Sequence, residues 1–365
     1  MPIRRFLKGR KEELEHLEHT VFEEEVKQLA KEFDIEVEEV QSIPPLEKDL
    51  TKTAMHLYPA EILLLSQATN FTVGQLEFPK LWREQYGFLH VPTSLLNLVS
   101  RGFLTVASMR STLENQTIAS LKQGLKTLKL PLGGKKDDLV KRLLSEVEDE
   151  VLEKVFLNRA YSLTSSGIRA LDEAMYIPYL IKRPVYGLNI WNLHRLVMQN
   201  PHKSYRDLIF SHMETMVQTC MAQKDFTNLR DTCYRMYNFQ MEENKQKKAL
   251  AYLAHTVYID LSGAHAVADA LERFVAEKYF FPYESSVLKV SVGILSAIKS
   301  AQENLHLSEE MLNAVLIQFF RQISLPFHLF TQEECAAVII LELRGDKERL
   351  TKAYELAQQR FQSVL

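Results

Sequence analysis

Lys122, Lys126, Lys129, Lys135, Lys136, Lys141 and Arg142 crowd one short stretch of the chain, with Gly133 and Gly134 at its middle. Only Asp137, Asp138 and Glu146 oppose them, so the stretch holds a local excess of four positive charges in a chain whose formal net charge is −3. Cations set beside glycines that let a ligand approach the backbone suit phosphate oxygens, and the chemistry implied is ionic contact with a sugar–phosphate chain. Nucleotide hydrolysis is excluded by spacing. A phosphate loop of that kind needs glycine five residues before its Gly-Lys pair and Ser or Thr after it, and those positions hold Lys129 and Lys136.

No His-Glu-x-x-His, Gly-x-Ser-x-Gly or spaced carboxylate set is present, and acids such as Asp231 and Asp260 read as helix-side solvation. His16 and His19 sit three apart among glutamates and read as a solvated helix face. His194 lacks a visible partner for base catalysis, and with Trp191 it reads as a core or rim residue. Met213, Met216, Met221, Met236, Tyr237 and Phe239 fall at helical spacing and read as core. Three scattered cysteines, Cys220, Cys233 and Cys335, form no Cys-x-x-Cys, which speaks against a disulfide framework or zinc ribbon and fits a cytoplasmic setting. No enzyme, cofactor or metal is expected.

The elements that must position the lysines are two short helices. Ile118, Leu121, Leu125 and Leu128 make one apolar stripe; Pro131, Gly133 and Gly134 break that helix; Leu139, Val140, Leu143, Leu144 and Val147 make the next stripe. Over residues 117–147 the sequence resembles the SAP module, a helix–turn–helix unit of chromatin-associated and DNA-repair proteins. Leu121, Leu125, Leu130, Gly134, Lys136, Leu139, Arg142 and Leu143 fall in register with that pattern, while Lys129 stands where the family has glycine. If the turn needs positive φ there, Lys129 is strained. The resemblance implies duplex DNA contact with little sequence reading, through Lys122, Lys126, Gly133, Gly134, Lys135, Lys136 and Arg142.

The chain has 365 residues, 46% hydrophobic and 25% charged, enough for two or three soluble domains. Its basic lead, with Ile3, Phe6 and Leu7, has no apolar core of a signal peptide and reads as a frayed helical tail; no run is long enough to span a membrane. Residues 1–50 read as a charged, acidic helical segment leading to Pro44-Pro45. Helices are expected from Pro59, over 76–85 and over 93–101, then a strand in GFLTVAS, and beyond the lysine-rich stretch a strand, a Thr/Ser cap and a helix in NRAYSLTSSGIRALDE.

Joined across the gap, these pieces resemble a winged helix, residues 51–110 plus 156–176, with the SAP-like module of 111–150 inserted in its wing between Ala107 and Asn158. The groove-entering helix of that reading offers only Ser94, Asn97, Ser100 and Arg101, so a docking or dimer surface is an equal alternative to DNA contact. Residues 177–203, with Pro178 and Pro184, read as a connector. Residues 204–365 read as helix after helix: 227–241, 247–261, 267–278, 286–301, 309–322, 332–343 and 347–361, with caps at Ser308 and Thr331. Ala249, Leu250, Leu253 and Thr256 resemble the second helix of a tetratricopeptide repeat.

The expected fold is therefore mainly α: a winged-helix-like domain with a small β-hairpin and an inserted helix–turn–helix, followed by a solenoid-like helical array. Two functions compete, a non-enzymatic DNA-binding protein whose array holds a protein partner, and a protein–protein adaptor in which both N-terminal parts are docking surfaces.

Overall fold

A computed structural model describes residues 51–157, 159–264, 277–325 and 327–364. The helix expected within residues 1–50, with His16 and His19, and all but the end of the one expected over 267–278 lie outside them. The chain is mainly helical and divides into two compact units. The first runs to Arg183 and includes Asn189–Gln199; the second takes Pro184–Leu188 and Asn200–Leu365.

The first unit is built on α1 (Pro59–Gln67). Proline at its first position forfeits only an amide that has no helical partner, and every residue from Pro59 to Leu65 is buried. Glu61 is tolerated there because its carboxylate accepts from the Tyr58 amide at 2.8 Å and from Arg101 Nη1 at 2.6 Å. After α1, Thr72 bridges Ala160 and the Val73 amide donates to the Arg159 carbonyl at 2.8 Å. The helix expected over 76–85 shrinks to α2 (Leu81–Glu84), because Pro79 denies the turn before it an amide. Trp82 pins that short helix against Phe71, Tyr86 and Phe88.

α3 (Val91–Ser100) leads into β1 (Leu104–Val106), which pairs antiparallel with the distant β2 (Tyr161–Leu163) in the register Leu104–Leu163, Thr105–Ser162, Val106–Tyr161. Thr164 caps α8 (Ser165–Glu173), accepting from the Gly167 amide and donating its hydroxyl to the Gly102 carbonyl at 2.6 Å. α9 (Tyr176–Lys182) and α10 (Ile190–Gln199) both pack on α1. Of the residues expected as a connector, Pro184–Leu188 and those from Asn200 on fall in the second unit, while those up to Arg183 and Asn189–Gln199 are part of the first unit's helical layer. Pro178 permits this since it falls in the first turn of α9.

Between the two strands lies a four-helix insert: α4 (Met109–Asn115), α5 (Ile118–Thr127), α6 (Lys136–Glu146) and α7 (Asp149–Val155). Met109, Leu113, Leu121, Leu125, Leu139, Val140, Leu143, Leu152 and Phe156 are buried together as one core. Two helices alone were expected to hold little core; α4 and α7 supply the missing apolar faces.

Helices carry the second unit, and among its described residues it holds no strand. α11 (Tyr205–Gln223), α12 (Phe226–Glu242) and α13 (Gln246–Ser262) pack in succession, α13 buried along most of its length and ended by Gly263 at φ 75°. The helix expected over 286–301 begins later, as α14 (Val292–Asn304), capped by Ser291. A 3₁₀ turn at Tyr283–Ser285 precedes it, and Leu288 and Val290 are buried in non-helical backbone. α15 (Glu309–Phe320), α16 (Gln332–Arg344) and α17 (Lys347–Val364) follow, with Ser308 and Thr331 in the expected capping positions. Of the Met and aromatic stripe, Met213, Met236 and Phe239 are core and Met216, Met221 and Tyr237 half-buried.

Candidate nucleic-acid interface

The lysine-rich surface is carried by the α5–α6 pair and its turn. Leu121 and Leu125 face the insert's core, and Lys122 and Lys126, each one residue further on and one helical turn apart, share an exposed flank of α5. α5 ends in a Schellman motif: the Lys129 amide donates to the Lys126 carbonyl at 3.1 Å and the Leu130 amide to the Leu125 carbonyl at 2.9 Å. The motif demands a left-handed residue, and Lys129 takes it at φ 57°, the strain anticipated from its place in the sequence. Leu130, half-buried, packs back onto the core.

The turn is then stapled from α6. Arg142 Nη1 donates to the Pro131 carbonyl at 2.7 Å and to the Gly133 carbonyl at 3.0 Å. Arg142 is therefore first a brace, and only its remaining charge is offered outward. Asp138 Oδ2 accepts from the Lys135 amide at 2.9 Å, so that amide is occupied. The amides of Lys136 and Asp137, first in α6, have no intrahelical partner. Gly134 sits at φ 122°, where a Cβ would lie 2.9 Å from that of Asp138, whereas a Cβ on Gly133 would meet nothing within 4 Å.

Lys129, Lys135 and Lys136 surround this turn, all exposed except the half-buried Lys136. Lys141 is exposed on α6, one residue before Arg142 and so roughly a hundred degrees around the helix from it. Among the described residues none of Lys122, Lys126, Lys129, Lys135, Lys136 and Lys141 is held in an ion pair. The nearby acids are exposed as well, Asp137 and Asp138 in the first turn of α6, where they favour the helix dipole.

The remaining polar candidates are occupied internally. Arg101, the one cation on the exposed side of α3, bonds Glu61, the Asn97 side chain and the His56 carbonyl. His194 is wholly buried; its Nδ1 lies 2.7 Å from the Tyr176 hydroxyl and the two rings stack, so the partner unseen in sequence is a core tyrosine. Burial pushes that tyrosine up to about 12, which leaves its hydroxyl protonated. Asp260 grips Arg230 with both carboxylate oxygens, at 2.9 and 3.2 Å. The three cysteines are buried free thiols. Among the described residues no cluster of His, Cys, Asp or Glu is fit to hold a metal, and no helix is long and apolar enough to cross a membrane.

Sequence reasoning missed the brace by Arg142, since contacts nine and eleven residues back along a broken helix need the fold to be seen. It also missed Arg159, which reaches the Ala107 carbonyl at 2.6 Å and Glu153 of α7 at 3.0 Å and so ties the insert to its host. The signal for α4 and α7 was available in the apolar spacing of Met109–Leu113 and Leu152–Phe156. No protein-family model and no curated protein matches this chain.

Proposed function

We propose that this chain is a non-enzymatic DNA-binding protein, its four-helix insert gripping the phosphate chain of a duplex with little sequence reading. The observation carrying the reading is the unpaired state, among the described residues, of the six lysines on a module with its own core. Charges already bonded within the protein would give little on binding; these lose only water and counterions. The order of α1, the Thr72–Ala160 bridge, α2, α3 and the β1–β2 hairpin supports a winged-helix host with the SAP-like insert in its wing. The run α11–α17 supports a solenoid-like array that holds a protein partner.

The adaptor reading applies to α3: with Arg101 bonded to Glu61, that helix presents Ser94 and Asn97 but no disengaged cation, which favours docking over phosphate contact. Fluorescence anisotropy of the full chain with a short duplex tests the DNA reading. Four phosphate contacts give a log–log salt slope of roughly −3.6. Lys135→Ala with Lys136→Ala weakens binding several-fold and makes the slope shallower by about 1.8. An unchanged titration at low salt overturns the proposal.

A further inference from the structure

Leu132 stands at the apex of the cationic turn with 41% of its surface exposed. A leucine in a slack loop folds down onto the nearest apolar surface, but this one is fixed on both sides. The same Arg142 nitrogen holds the carbonyl before it and the carbonyl after it, at 2.7 and 3.0 Å. Pro131 sets the backbone ahead of it, the Schellman motif locks Lys129 and Leu130, and Asp138 fixes the Lys135 amide. Beyond it Gly133 opens onto empty space. An apolar tip is thus held outward amid Lys129, Lys135 and Lys136.

The partner such a tip fits is a polyanion with an apolar interior within reach of its charged rim. Duplex DNA has that chemistry, with stacked bases behind a phosphate edge. Proteins with an apolar side chain at a cationic surface use it to part a base step. An anionic membrane shares the two-part chemistry but is disfavoured here. One leucine is a small foothold for a bilayer, whereas a single side chain suffices to enter one base step.

Resting on the DNA reading above, we propose that Leu132 is a wedge directed at a base step, so that the protein selects duplexes whose stacking is already weakened, as at a mismatch. Parting a stacked step costs energy that a mismatch lowers in advance, and the wedge turns that difference into preference.

The test compares two duplexes that differ by one central mismatch, with 2-aminopurine beside it, titrated with the full chain. The wild type binds the mismatched duplex about three- to tenfold more tightly and brightens the 2-aminopurine. Leu132→Ala loses the preference and the brightening while keeping its salt slope, and Leu132→Met retains both. Lys135→Ala with Lys136→Ala weakens both duplexes alike and keeps the preference. Equal binding of the two duplexes by the wild type, or a preference surviving in Leu132→Ala, overturns the wedge and leaves the DNA reading standing; binding to neither overturns both. Leu132-dependent sedimentation with phosphatidylserine vesicles, without mismatch preference, overturns the wedge in favour of a membrane.

Discussion

Lys129→Gly sets the stability of the insert against its charge. At φ 57° a residue with a Cβ costs about 1–2 kcal/mol relative to its right-handed state. Glycine removes that cost but brings a freer unfolded chain, which takes back about 0.5–1 kcal/mol. The net gain is about 0.5–1 kcal/mol, a two- to fivefold decrease in the open population of the insert, roughly. Hydrogen exchange at the amides of α5 and α6 reads it directly, slowing by that factor. The same substitution removes one cation, so the salt slope for duplex binding becomes shallower by about 0.9. Lys129→Ala is the control, losing the same charge while keeping the strained φ, and its amides exchange no more slowly than those of the wild type. If the glycine and alanine variants exchange alike, the strain assigned to this turn is refuted.

Gly167→Ala in the first turn of α8 places a Cβ 2.1 Å from the Phe103 carbonyl oxygen, a backbone atom that cannot swing away, and costs about 1–3 kcal/mol, read as a lower urea midpoint. In the second unit His255 donates from Nε2 to the Phe319 carbonyl at 3.1 Å, and burial lowers its pKa below the ordinary 6.5. A depressed folded value means that its contribution is present above about 6.5 and lost as pH falls through the folded value. Urea midpoints therefore fall between about pH 7 and about pH 5, and His255→Gln flattens that fall.

Much of the helical framework is legible in local chemistry. Pro59, Thr164, Ser308 and Thr331 each mark a helix start by a property of the residue itself, and β1 and β2 are recognisable as partners because β-type residues resume after the insert. The helix starts misplaced from sequence share one cause. Apolar runs around Leu76 and Val287–Val290 have helix-compatible spacing, yet Pro79 and the cap at Ser291 decide where winding begins. In the candidate site the lysines are legible as a cluster because charge needs no fold to be counted. What each cation does is not: Arg101 meets Glu61 across forty positions and Arg142 turns back on its own turn, so two cations of equal promise in sequence have internal duties.

The insert leaves β1 and rejoins the chain just before β2 at a point already tied together. The Ala107 amide donates to the Ala160 carbonyl at 2.8 Å, and Arg159 binds the Ala107 carbonyl in return. A graft whose roots are knotted to one another asks almost nothing of the trunk that bears it. The hairpin beneath would shut as well over a few residues as over fifty or so, because closing a loop depends only weakly on its length once the ends are pinned. Such a joint lets the four-helix cassette be treated as a separable piece: cut at Ala107 and Ala160, it carries its cations along, and the host is left to find a new acceptor for the Val73 amide, which now bonds the Arg159 carbonyl.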